Sequence, residues 1–214
     1  MTGVGTQVGI AIGESNIAFA LELFGFPLFF ILGAFVSGAV TVARIERGLP
    51  PHFDRVTLLL PAGLVSLIYL GQSGFFGPFG EQLTFTRDFV VLYLLSFLCG
   101  LQNGCFATLT KGQIRTTHLT GISTDLGTDM ARLWLGQLKG EERGLTLRTQ
   151  IARILTFASF GLGSVSSVLI CRKLEYAGLL LPLVTSICVA ILVRIDSLEL
   201  DRKYGLTSQN LSTV

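Results

Sequence analysis

The chain has 214 residues, half of them apolar and only 14% charged, with a net charge of +2 and a mean hydropathy of +0.65. A soluble domain ordinarily carries about a quarter charged residues, so this composition excludes an ordinary water-soluble protein and places the chain in lipid. Nucleic acid is not an expected partner; the bilayer is.

In chain order, the first 18 residues lack a basic region followed by an apolar core, so no cleavable signal peptide is read there. Five windows nearly free of charge then follow, from Phe19 to Ala43, Val56 to Gln72, Phe89 to Leu109, Ile151 to Cys171 and Tyr176 to Val193. Each has about the length needed to cross roughly 30 Å of hydrocarbon as a helix. Pro27, Pro61 and Pro182 lie inside these windows or near their ends, which a membrane bundle tolerates because neighbouring groups satisfy the freed backbone. The apolar runs are continuous and have no period of two, so they predict helices and not barrel strands. Cys99, Cys105, Cys171 and Cys188 fall in or beside the windows and read as small buried hydrophobes, not as a disulfide framework or a metal site.

Five crossings put the loops at 44–55 and 110–150 and the C-terminal tail on one side. That side and its adjoining helix ends hold all of the 16 basic residues except Arg87, Arg172 and Lys173. The positive-inside rule therefore predicts a multi-pass protein of the cell (inner) membrane with a cytoplasmic C-terminus and residue 1 outside.

The chain also repeats itself. MTGVGTQVG at 1–9 matches LTGISTDLG at 119–127, with identities at Thr2/Thr120, Gly3/Gly121, Thr6/Thr124 and Gly9/Gly127. After each copy come a helical stretch, a span, a short connection and another span. FFILGAFVSGAVTVAR at 29–44 also shares its glycine- and serine-rich texture with FASFGLGSVSSVLICR at 157–172. The second copy is preceded by the span containing LCGLQNG, so equivalent halves predict a leading helix of about 20 residues before Met1. Each half would then cross three times, an odd number, and the two would lie upside down relative to each other. Many secondary transporters are built this way, with the binding site near the midplane. The expected fold class is all-α, a polytopic transmembrane helical bundle with five spans of an inferred six in a 3+3 inverted repeat. One transmembrane domain covers 1–195, with repeat one at 1–72 and repeat two at 89–195. A polar tail, 196–214, is expected to be disordered.

The stretch GLQNGCFATLTKGQIRTTHLTGISTDLG resembles the signature of the YoaK-like bacterial membrane proteins, a family of unknown function with six predicted helices. The resemblance extends from Met1 to about Ile195, and RTTHLTG with Gln102 and Asn103 is its most specific part. It implies two halves with related threonine-glycine motifs and a leading helix carrying a polar or acidic residue where the second half has Gln102-Asn103. It implies no activity.

The candidate binding residues are Gln102, Asn103, Arg115, Thr116, Thr117, His118, Thr120, Gly121, Thr124 and Asp125, with first-repeat counterparts Thr2, Gly3 and Thr6. Hydroxyls and glycine ahead of a helical pattern suit a helix N-terminus, where side-chain oxygens cap free N–H groups and the dipole end attracts a carboxylate or phosphate. The bland alternative is that the threonines cap a helix and Arg115 sits at headgroup level. Gln102 and Asn103, midway along a span, need partners in the protein or in a wet cavity; the alternative is helix packing. Glu22, near the start of its span, could reach the outer interface. Gly33, Ser37 and Gly38, and likewise Gly161, Gly163 and Ser167, read as faces for close helix contact.

Leu119, Ile122, Leu126, Met130, Leu133 and Trp134 fall on one helical face, with Asp125, Asp129 and Arg132 mostly opposite and Asp129 spaced to pair with Arg132. This helix either lies in the cytoplasmic interface, anchored by Trp134, or dips into the bundle as a re-entrant element. Phe75, Phe76, Phe79 and Phe85 in the 71–86 loop read as an aromatic anchor or partial lid on the outer surface.

No nucleophile elbow, Walker A loop, paired metal-binding histidines or zincin motif occurs. His118 with Asp125 is only a weak acid-base pair, so no catalytic residue, metal or cofactor is assigned. Two function classes stand. A permease of a small polar or anionic solute predicts a polar cavity between the repeats reaching the LQN segment. A non-transporting scaffold or interaction protein, for which an oligomer is allowed, predicts a dry core.

Overall fold

The computed structural model describes residues 2–45, 53–79, 87–109 and 119–203. Among them are seven α-helices: α1 (Thr2–Gly13), α2 (Ile17–Ile45), α3 (Phe53–Gln72), α4 (Arg87–Leu109), α5 (Leu119–Trp134), α6 (Gly140–Leu174) and α7 (Leu180–Lys203). The chain is all-α over these residues. Four stretches are long and apolar enough to cross a membrane: Ile17–Val42, Arg55–Gln72, Phe89–Thr108 and Gly140–Ile195.

The last stretch joins two of the expected windows. The fourth and fifth windows fall in one apolar run of 56 residues, about 84 Å of helix and length enough for two crossings. Tyr176 does not open a span; it sits in a 3-10 turn, Glu175–Leu179, that separates α6 from α7. Glu175 takes φ 51°, and its N–H donates to the Cys171 carbonyl, closing the end of α6. The tail is corrected as well, since residues 196–203 continue α7 as helix.

Packing in lipid depends on close approach, because the tails around a helix are as apolar as the helix. α2 and α4 achieve it. A Cβ at Gly33 would land on the Phe97 carbonyl, and one at Gly100 on the Phe30 carbonyl. The Tyr93 hydroxyl donates to the Glu22 carbonyl at 2.6 Å and the Ser96 hydroxyl to the Phe26 carbonyl at 2.8 Å. Tyr93 also stacks on Phe29, with centroids 5.0 Å apart. These contacts climb both helices together, so α2 and α4 run parallel. Glu22 is half-buried beside this packed zone, and its Oε2 is buried with no hydrogen bond among the described residues.

α3 packs on α4 and along α7. Gly71, at the end of α3, meets the ring of Tyr176 just before α7, while Arg55, at the start of α3, shares a groove with Arg194 near the end of α7. α3 and α7 are therefore antiparallel. The segment after α3 folds inward: Phe76 is buried and Phe79 meets Tyr176 edge to face at 5.1 Å. Of the expected aromatic anchor, Phe75 and, less fully, Phe79 are exposed. Phe85 lies outside the described residues.

α1 folds back on α2 through Ala11, Ala20 and Leu23, and α5 packs on α6. α6 stands apart: besides α5 and the 175–179 turn, no element packs along it among the described residues.

Candidate functional site

A cavity of about 300 Å³ lies between α3, α4 and α7. Its walls are mostly leucine and valine, with Cys99 and Cys105 from α4 and the polar side chains Thr57, Gln102, Thr185 and Ser186. The hydroxyls of Thr185 and Ser186 are committed to carbonyls of their own helix, at 3.0 Å to Pro182 and 2.8 Å to Leu183. Ser/Thr in apolar helices commonly satisfy themselves this way. Gln102 differs, since its amide makes no hydrogen bond among the described residues, and it lines the cavity. An amide held in an apolar wall costs free energy until something pairs with it.

Asn103, its neighbour, points elsewhere. It is buried, and its Nδ2 donates to the Cys99 carbonyl at 2.9 Å, one turn back. The amide pair thus splits, with Gln102 on the cavity and Asn103 inside the helix packing.

The rest of the sequence-derived site does not join the cavity. Arg115, Thr116, Thr117 and His118 lie outside the described residues. Thr120, Gly121, Thr124 and Asp125 sit on α5, which packs on α6 and not on the cavity helices. The hydroxyls of this segment turn back on their own helix: Ser123 to the Leu119 carbonyl at 2.8 Å, Thr124 to Thr120 at 3.0 Å and Thr128 to Thr124 at 3.1 Å. In the first repeat, Thr2 and Gly3 begin α1, and Gly3 and Thr6 are exposed on it.

Asp125 has a different task. Arg153 of α6 reaches Asp129 Oδ2 with Nη1 at 2.7 Å and Asp125 Oδ2 with Nη2 at 3.1 Å. Asp129 also holds Arg132 at 3.3 Å, the pair that the spacing predicted. The Gln150 amide donates to the Asp125 carbonyl at 3.4 Å. Only 13% of the Arg153 side chain is exposed, so this arginine bolts α5 to α6 and is not a headgroup cation at a helix end. Trp134, at the far end of α5, is 88% exposed, which suits an interfacial anchor.

Sequence reasoning missed Thr57 and Thr185. The available signal was their separation, the same one that relates Phe29 to Phe157 and Arg44 to Arg172 in the repeated segments. It also missed Arg153, because the partners that hold it come from another helix.

A family described as "Protein of unknown function (DUF1275)" matches residues 1–192. The chain belongs to the DUF1275 family. That match covers every described helix up to the middle of α7, and the family's description carries no activity, so function is argued from the cavity. No curated protein and no solved structure matches it.

Proposed function

We propose that this DUF1275 protein is a membrane carrier that passes a small solute through the cavity between α3, α4 and α7. The observation that carries the reading is Gln102: one half-buried amide on the wall of a largely apolar chamber of about 300 Å³. Binding sites for small molecules have this composition, an apolar wall with a few polar groups that fix orientation. The described lining has no charged side chain, so the solute that fits is small and neutral, with one or two hydrogen-bonding groups; the anionic solute considered from the sequence is the poorer fit.

The carrier reading includes two modules of inverted orientation, 1–72 and 89–195. Three features support it. α3 and α7, counterparts in the repeat, pack antiparallel, as a two-fold axis in the membrane plane requires. Thr57 and Thr185, at matching positions, line one cavity from opposite modules. Arg55 and Arg194 mark one end of the bundle as basic, in keeping with a cytoplasmic C-terminus.

Purified protein in liposomes tests the carrier. Stopped-flow light scattering with glycerol, urea and formate as probes is expected to show faster entry of a neutral probe than in protein-free vesicles. Gln102→Leu is expected to slow that entry about tenfold, the equivalent of one hydrogen bond. Rates equal to those of empty vesicles for all probes would leave the protein as a non-transporting scaffold, and a response to formate alone would restore the anionic solute.

A further inference from the structure

We infer that the groove between the start of α3 and the end of α7 binds one anionic phospholipid of the surrounding bilayer, with Arg55 and Arg194 on its phosphate and an acyl chain along the helices deeper in the membrane. This site lies on the outside of the bundle and does not depend on solute passage through the chamber.

The groove holds about 690 Å³ and shares no lining residue with the chamber. Arg55, Leu58 and Pro61 line it at successive turns of α3, and Ile187, Ile191 and Arg194 do so on α7. Because the two helices are antiparallel, both arginines stand at the same end. Arg55 opens one apolar stretch and Arg194 is the last residue but one of another, which puts both at headgroup level. Past them the groove is hydrocarbon. Leu58, Ile187 and Ile191 are 59%, 41% and 53% exposed, while Pro61 and Ala190 are buried and form the floor. From Arg55 to Pro61 the trough runs about 9 Å and from Arg194 to Ile187 about 10 Å, within the ~15 Å hydrocarbon depth of one leaflet. It stops short of the midplane, so it seats a lipid of one leaflet and is no path across.

Charge selects the occupant. Two guanidinium groups stand at one mouth, and no acidic side chain lines the groove among the described residues. A guanidinium presents a planar fork that suits phosphate oxygens, and basic pockets between membrane helices seat anionic headgroups. A zwitterionic lipid would bring its own cation to this mouth, whereas an anionic lipid brings none. A soluble phosphate would leave the apolar part of the groove uncovered. A second copy of the chain, seated by the same face, would add two more arginines to the pair already there. Only the anionic lipid answers both the charged end and the hydrocarbon end at once.

The test reads lipid at the groove by fluorescence. Trp134→Phe removes the single tryptophan, and Leu58→Trp places a new one in the groove. The protein is reconstituted in vesicles of phosphatidylcholine and phosphatidylglycerol, with one or the other lipid brominated as a quencher. Phosphatidylglycerol is expected to be preferred about 25-fold at this position, fivefold from each arginine, and Arg55→Gln or Arg194→Gln alone should leave about fivefold. Phe35→Trp, exposed on α2 and away from the groove, is expected to show no preference. Equal quenching by the two lipids at position 58, or a preference that survives both arginine substitutions, overturns the inference. So does a preference abolished by inorganic phosphate at matched ionic strength, which would mean a soluble anion site. Quenching by neither lipid, as a second copy or another protein over the groove would produce, overturns it too. If Leu58→Trp does not accumulate, Ile191→Trp reports from the other wall. If neither does, native mass spectrometry of the unaltered protein must show phosphatidylglycerol retained over phosphatidylcholine, and equal retention overturns the inference.

Discussion

Gly33→Val is expected to be among the most damaging single substitutions in the molecule, costing at or above about 3 kcal/mol, the upper end of ordinary overpacking. The reason is where the new Cβ would go. It would land on the Phe97 carbonyl and close to the Leu101 amide, backbone atoms of α4 that cannot rotate away. Relief requires the two helices to separate, and that breaks the Tyr93 and Ser96 hydrogen bonds to α2 and unstacks Tyr93 from Phe29. Gly38→Val is the matched control: it lies on the same helix, one turn on, with nothing within 4 Å of its Cβ position. Thermal unfolding in detergent, followed by loss of the monodisperse peak, should show a large drop for Gly33→Val and little change for Gly38→Val. Equal midpoints for the two variants would mean that α2 and α4 do not touch at this crossing.

The second large effect is expected at Arg153. Arg153→Met keeps the length and apolar stem of the side chain but leaves Asp129 and Asp125 without their partner on α6. The expected cost is about 1–2 kcal/mol, below that of a fully buried pair, because Asp129 keeps Arg132 and Asp125 is half in solvent. The loss should be local. Hydrogen exchange is expected to accelerate throughout α5 while α2, α3 and α4 keep their protection, because among the described residues α5 packs on α6 and not along those helices. Replacing Asp125 and Asp129 with Asn and Leu in the same protein should recover much of the protection, since an apolar contact of similar shape substitutes well for an ion pair. Unchanged exchange in Arg153→Met would show that apolar contacts alone hold α5.

The sequence carried the fold class and span positions because both depend on local composition. A run of about 20 apolar residues reads as a span regardless of its partners, and α2, α3 and α4 begin and end within a few residues of the expected windows. The break between α6 and α7 was less legible. Tyr176 is apolar enough to extend a window, and only its packing against Gly71, Phe76 and Phe79 explains why the chain turns there. The same limit applies to the site. Thr116, Thr117, Thr120 and Thr124 looked like one polar cluster because they are adjacent in sequence, yet the Thr124 hydroxyl is satisfied within α5, and α5 does not reach the cavity. Gln102 was legible as a polar residue too costly to place in lipid without a role. That Asn103 would bury its amide against Cys99 while Gln102 faces a chamber depends on the angle of α4 to α3 and α7, and no spacing rule encodes that angle.

The opposed orientation of the two modules is tested most directly by labelling α1 and α5 in intact cells. In a background lacking the four native cysteines, Gln7→Cys on α1 and Thr128→Cys on α5, both exposed positions, are each treated with a membrane-impermeant maleimide before and after the membrane is permeabilised. Three spans separate the two helices, α2, α3 and α4, so Gln7→Cys is predicted to label from outside and Thr128→Cys only after permeabilisation. Labelling of both from the same side would contradict the inverted arrangement.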